Sequence, residues 1–214
     1  MKRVLLIDPP WYRLFGSLLP RIPIGPAYLG SVLEAEGHAV KVYMADFDAE
    51  RARSGQYFSH QDTLTQTESY HQTLDDLNAP VWNEVRAVIR SFQPDVVGLS
   101  VMTGKYGSGL NVARLTKELA KTEGRDIKVI MGGPHVSALP EEVAREDCVD
   151  VAFKREAEIS LTEWLKVVDR PEEWGKVQGL TFVDGNGQLV DTGSMPYIND
   201  LDTLPLQGLS LIHI

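Results

Sequence analysis

With 214 residues, 43% of them hydrophobic and 24% charged, the chain has the material for one good-sized globular domain and a small appendage. Its 21 basic against 30 acidic side chains give a formal charge of −9, which argues against nucleic acid or an anionic membrane as partner. One cysteine, Cys148, excludes an internal disulfide and any multi-cysteine zinc or iron–sulfur site within these residues.

The start, MKRVLLIDPP, holds a basic pair and a short apolar run that stops at Asp8, the pattern of a first strand and not of a signal peptide. No stretch approaches ~18 consecutive apolar residues, so no membrane span is expected and the default location is the cytoplasm. Arg3 to Ile7 is the first strand, and it runs into Asp8-Pro9-Pro10. The long loop from Trp11 to Ile24 carries Trp11, Tyr12 and Phe15; its aromatics either contact a ligand or cover the sheet edge. Pro26 falls in the first turn of a helix with Ala27, Leu29, Val32 and Leu33 on its buried stripe and Gly37 as its stop. Ala39 to Met44 is the second strand. Asp46 to Ala79 is polar with weak periodicity, and His60 and His71 read as solvated surface histidines; the segment suits a lid or a contact surface.

Pro80 opens a clear helix with Val81, Val85, Val88 and Ile89 on one face. It feeds Pro94–Gly109, PDVVGLSVMTGKYGSG, in which Val96 to Leu99 reads as a strand buried on both faces. Small and polar residues follow it, Ser100, Thr103, Gly104, Gly107, Ser108 and Gly109, and then a helix from Leu110 to Lys121. Asp126 to Met131 is the fourth strand, ending in Gly132-Gly133-Pro134-His135, where backbone can approach a ligand closely. Pro140-Glu141-Glu142 opens a short helix, Val149 to Phe153 is the fifth strand, and a helix follows through Leu161, Trp164, Leu165 and Val168. Val177–Val183 and Gln188–Val190 flank Asp-Gly-Asn-Gly, a hairpin signature. The tail from Leu201 to Ile214 is Pro-interrupted and apolar, as at the beginning of a further element.

Strands alternating with helices imply an α/β fold, a doubly wound parallel five-stranded sheet of the flavodoxin-like or Rossmann-like kind, with a small C-terminal β-hairpin. Strand order 2-1-3-4-5 puts the switch point between strands one and three, so Asp8-Pro9-Pro10 and Ser100–Thr103 are expected to face each other across one crevice. The dinucleotide fingerprint, the P-loop and the Gly-x-Ser-x-Gly elbow are all absent, and Ser100 stands where a receiver domain needs a phosphorylatable Asp. Small hydroxyls and glycines around an apolar crevice suit a large neutral or phosphate-tailed cofactor. A flavin- or nucleotide-binding module and a non-catalytic interaction domain are the alternatives.

Five pieces in order resemble the cobalamin-binding domain at the N-terminus of cobalamin-dependent radical S-adenosylmethionine enzymes. They are Asp8-Pro9-Pro10, Pro23 to Leu29 (PIGPAYL), Gly37-His38, Pro94 to Ser100 (PDVVGLS) with Thr103 and Tyr106, and Gly132-Gly133-Pro134-His135 leading to Leu139-Pro140-Glu141-Glu142. The hairpin and Asp200 to Pro205 (DLDTLP) are similar to that family's bridge into its catalytic barrel. The resemblance implies a cobalamin domain over 1–170 and a hairpin and linker over 171–214. It also implies a cofactor-binding set of Pro10, Ser100, Met102, Thr103, Tyr106, Gly132, Gly133, Pro134, His135 and Glu156, with Ser100, Met102, Thr103 and Tyr106 along the nucleotide tail. The cobalamin is expected base-off without a protein histidine ligand, because Asp8-Pro9-Pro10 stands where the mutases carry Asp-x-His-x-x-Gly; His135 is expected to be a hydrogen-bonder in its loop. Lys154-Arg155-Glu156-Ala157-Glu158 replaces the family's Arg-Gly-Glu-Gly-Glu-like run, so that Ala157 puts a methyl group at a glycine position. The [4Fe–4S] cluster and S-adenosylmethionine belong to a radical barrel, in cis or in trans. These residues lack its Cys-x3-Cys-x2-Cys loop, so the chain alone is expected to bind, the whole protein to be a methyltransferase.

Overall fold

The computed structural model describes residues 1–19, 21–55, 57, 59–206 and 208–213. Eight strands are described in one sheet: β1 (Arg3–Asp8), β2 (Ala39–Met44), β3 (Val96–Ser100), β4 (Lys128–Gly132), β5 (Val151–Phe153), β6 (Leu180–Val183), β7 (Leu189–Asp191) and β8 (Ile212–His213). Their order is β7-β6-β5-β4-β3-β1-β2-β8, so the expected 2-1-3-4-5 order forms the centre. The pairings among β1 to β5 are parallel, with Leu6 opposite Gly98 and Gly98 opposite Ile130. The hairpin strands β6 and β7 extend the same sheet antiparallel from β5, and β8 lies parallel on β2.

The helices are α1 (Ile24–Ala35), α2 (Ala49–Ser54), α3 (His60–Thr65), α4 (Thr67–Asp75), α5 (Pro80–Phe92), α6 (Tyr106–Glu123), α7 (Pro134–Ala138), α8 (Pro140–Ala144) and α9 (Glu158–Val167). Side chains along a strand alternate between faces, and β1 divides accordingly. Leu5 and Ile7 join the cluster under α5 and α6. Val4 and Leu6 join the cluster under α1 and α9, around Trp164 and Phe153. Both faces are therefore covered, which is why these strands read as unbroken apolar runs.

Three sequence readings change. The expected five-stranded sheet has eight described strands, because the hairpin and β8 join it at its two edges. Asp46–Ala79 holds three short helices, and α4 packs on the aromatic loop, with Tyr70 stacked on Phe15 at 4.7 Å between ring centres. The helix expected from Leu110 starts at Tyr106, so Gly107 and Gly109 lie in its first turns. Their work there is packing: a Cβ on Gly109 would stand 3.1 Å from Val101 Cγ2.

Candidate functional site

Parallel strands deliver their carboxyl ends to one rim, and the rim is where this sheet opens. A cleft of about 230 Å³ descends from it between α1 and α9, across the face of β1, β3, β4 and β5. Its depth is apolar, from Leu6, Leu29, Ile130, Phe153 and Leu161, over a floor at Gly98. The floor exists because position 98 has no side chain: a Cβ there would come 2.8 Å from Leu6 Cδ2 and 3.4 Å from Ile130 Cγ1. Ser100, Gly132, Gly133, Arg155, Glu156 and Glu158 line the same cleft, as do Gly25 and Pro26 at the start of α1. Glu158 Oε2 is inaccessible to solvent and has no hydrogen-bond partner, an acceptor without a donor.

Glycine is required at 133 for a different reason from the expected approach to a ligand. Its φ of +107° and the 2.7 Å from its ideal Cβ to the Val101 carbonyl fix the β4–α7 turn against the segment after β3. That contact is bridged by His135 N–H donating to Val101 O at 3.2 Å and Val101 N–H donating to Gly132 O at 2.8 Å.

Of the residues singled out from sequence, Ser100, Gly132, Gly133 and Glu156 meet in the cleft. Thr103, Tyr106 and His135 form a separate rim cluster: His135 Nδ1 lies 3.3 Å from Thr103 Oγ1, and its ring centre lies 4.2 Å from that of Tyr106, tilted by 36°. His135 is only 5% exposed, and burial, with Glu146 and Glu142 nearby, pushes the Tyr106 phenol up to about 12. Met102 is exposed on the rim, Pro134 is exposed at the start of α7, and Pro10 is buried at the end of β1; none of the three lines the cleft. Glu156 has a second task, since its Oε2 accepts the backbone N–H of Ile198 at 2.9 Å and so fastens the segment after β7 to the cleft's lip. Ala157 adopts an ordinary φ of −108°, while Arg155 takes φ +59°. The left-handed residue of this run is thus Arg155, and Ala157 needs no glycine for its backbone.

Sequence reasoning missed the most heavily charged feature of the rim. Above β1 and β3, where an open crevice was expected, Lys105 Nζ contacts Asp8 Oδ1 at 2.7 Å and Asp46 Oδ2 at 3.4 Å. Arg21 closes the cluster on the same two carboxylates at 2.5 and 3.3 Å. Asp46 also accepts the Trp11 and Arg13 backbone N–H groups, which pins the aromatic loop over the end of β2. Lys105, Asp8 and Asp46 are nearly inaccessible, so the network fills the place of the expected crevice. The only signal in the sequence was a set of isolated charges far apart along the chain, with no spacing to join them.

Among the described residues no group of three or more His, Cys, Asp and Glu side chains is placed to hold a metal ion, and no helix is long and apolar enough to cross a membrane.

Comparison with known proteins gives relatives of greater length. The chain is 26% identical over 215 aligned positions to an uncharacterized methyltransferase, PH0819, of Pyrococcus horikoshii, covering 98% of this chain and 39% of that protein. It is 27% identical to the cytidylyl-2-hydroxyethylphosphonate methyltransferase of Streptomyces wedmorensis, over 94% of this chain and 35% of that one. Among solved structures, the fold matches OxsB, a cobalamin-dependent S-adenosylmethionine radical enzyme solved with aqua-cobalamin and S-adenosylmethionine bound. That match has a TM-score of 0.71 and 17% identity over 99% of this chain and 24% of OxsB. The radical S-adenosylmethionine methyltransferase TsrM of Kitasatospora setae matches with a TM-score of 0.62 and 18% identity, over 90% of this chain and 30% of TsrM. The chain therefore spans less than half the length of each of these proteins. Residues 19–165 match the family model of the B12-binding domain, and with a Rossmann-like sheet under that match the chain belongs to the B12-binding domain family.

Proposed function

We propose that this chain is the cobalamin-binding part of a cobalamin-dependent radical S-adenosylmethionine methyltransferase, and that the α1–α9 cleft receives the cofactor's nucleotide tail. The observation that carries the reading is the glycine-floored apolar cleft at the carboxyl rim. At about 230 Å³ it is smaller than the ~300–1,000 Å³ of pockets that enclose a whole drug-sized ligand, as suits a tail inserted from a larger body outside. The residues present fit such a group: apolar side chains for the base, and Ser100, Glu156 and the unpartnered Glu158 carboxylate for the sugar and linker.

In this reading the cleft would hold the nucleotide tail, so that the cofactor would be bound base-off with no histidine of this chain as its ligand. The burial of His135 against Tyr106 and Thr103 supports that. Bound cobalamin supplies a cobalt able to carry a methyl group. What this chain's residues do is hold the tail, orient the corrin over the rim and keep water from the slot. The [4Fe–4S] cluster and S-adenosylmethionine then belong to a radical barrel outside these residues, in cis or in trans. Residues 1–170 make the cofactor domain and 171–214 the bridge toward that barrel, in the cytoplasm, with neither nucleic acid nor membrane as partner.

The test is anaerobic incubation of the purified chain with hydroxocobalamin or with FMN, followed by gel filtration and a visible spectrum. Co-elution of about one corrinoid per chain with a base-off spectrum is expected. Retention of FMN with no corrinoid would replace this reading by the flavin-binding one.

A further inference from the structure

We propose that the cleft and the segment after β7 compete for the same two side chains, Arg155 and Glu156, so that a ligand in the cleft releases the segment. The inference rests on the cobalamin reading above and adds to it a coupling between the cofactor and the bridge that follows. β7 and β8 lie at opposite edges of the sheet, so the chain from Thr192 to Leu211 has to cross from one edge to the other. It is tied to both walls of the cleft on the way. On the α9 side, Ile198 N–H donates to Glu156 Oε2 at 2.9 Å, and the Arg155 guanidinium lies 5.3 Å from the centre of the Tyr197 ring. Both Arg155 and Glu156 also line the cleft. On the α1 side, Gly208 N–H donates to Ser31 Oγ, and Leu211 joins the apolar cluster under α1 and α9.

The two ties differ in strength. At α1 the segment is held by burial: Leu211 is 9% exposed and packs on Gly30, and β8 pairs with β2. At α9 it is held by one hydrogen bond and one ring contact, with Tyr197 62% exposed. Between the ties, Asp202 N–H and the Thr203 hydroxyl donate to Asp200 in the same segment. The α9 tie is therefore the one that gives. Arg155 also sits in the left-handed region at φ +59°, where its N–H donates to Ser137 Oγ at 2.8 Å, so a more relaxed backbone is open to it once its contacts change. A ligand with hydroxyl or amide donors and a phosphate needs an acceptor and a cation, and Glu156 and Arg155 are that pair. A carboxylate oxygen accepts more than one bond, so the tie breaks when the side chain turns toward the ligand, not because Oε2 is saturated. The coupling is reciprocal: a contact that holds the segment away from Arg155 and Glu156 tightens the cleft by the same factor. A merely structural tie has the opposite sign, since losing it would loosen the cleft wall and weaken binding.

The test combines a visible titration with hydroxocobalamin and amide exchange of the segment with and without it. In the unsubstituted chain, bound hydroxocobalamin is expected to speed exchange over residues 196–203. Tyr197→Ala removes the ring from Arg155, and Ile198→Pro removes the N–H from Glu156. Each variant is expected to keep its thermal transition, to exchange faster over the segment without ligand, and to bind hydroxocobalamin about 3- to 10-fold more tightly. Exchange over 196–203 that is unchanged or slowed by a ligand that binds overturns the coupling and leaves the cobalamin reading standing. Variants that bind no more tightly than the unsubstituted chain do the same. Failure of the unsubstituted chain to bind hydroxocobalamin removes the coupling together with the reading on which it rests.

Discussion

Replacing Gly98 tests the cleft with the smallest perturbation available. An alanine Cβ would stand 2.8 Å from Leu6 Cδ2 and 3.4 and 3.6 Å from Ile130 Cγ1 and Cδ1. The first of these is closer than carbon atoms tolerate, and it falls on the free end of a flexible side chain. In the ligand-free protein Leu6 has the cleft to move into. Overpacking of about 1–3 kcal/mol is then partly offset by the ~0.5–1 kcal/mol a strand gains when glycine is replaced. A net loss of about 1 kcal/mol corresponds to a fall of ~2–4 °C in Tm for a chain of this size. With the tail in place that escape is closed. The overpacking of about 1–3 kcal/mol recurs in the complex, which is ~5- to 150-fold in Kd. Gly98→Val, with two further methyl groups, is expected to abolish binding in the same visible titration. A Gly98→Val protein that melts cooperatively and binds cobalamin within twofold of the unsubstituted chain would refute the reasoning.

The remaining expectations concern the rim. Lys105→Met removes one of the two cations on the buried Asp8 and Asp46, leaving Arg21, and is expected to cost about 3–5 kcal/mol in urea unfolding. Asp8→Asn combined with Lys105→Met restores neutrality and is expected to recover at least half of that loss; a single-variant loss below ~1 kcal/mol would contradict the network's role. The Tyr106 phenol is pushed up to about 12, first by burial and then by Glu146 and Glu142, so the fold favours its neutral form. Its contribution to stability is complete below the ordinary tyrosine value of ~10 and is lost as pH rises from there through about 12. Alkaline unfolding of the Tyr106→Phe variant should lack that component, and a Tyr106-dependent phenolate absorbance appearing near pH ~10 would contradict it.

The central sheet was legible because β1, β3 and β4 are buried on both faces and show it as unbroken apolar runs, while Gly37 and Gly124 mark the helix ends between them. The Asp184–Gly187 turn announced its hairpin equally plainly, but not that β6 would pair with β5 in the main sheet, which depends on register between distant segments. The short helices α2 and α4 were illegible because they bury little of their own surface, and α4 holds its place through contacts such as Tyr70 on Phe15. Ser100, Gly132 and Gly133 were found at the cleft because strand ends point to a rim. Tyr106 and His135 were carried toward the ligand by the family resemblance, and the structure sets them against each other. The wall formed by Leu29 and Leu161 was hidden, since apolar residues on helices α1 and α9 read only as core. Lys105 and Asp8 lie 97 positions apart and carry no motif, so their pairing is visible only in the folded chain.

Amide hydrogen exchange of the chain with and without hydroxocobalamin asks where the cofactor sits. Slower exchange confined to the start of α1, the end of β3, the β4–α7 turn and residues 155–161 is the expected result. Slowing over the aromatic loop and α4 instead, with those four segments unchanged, would move the cofactor away from the Gly98 cleft and contradict the reading.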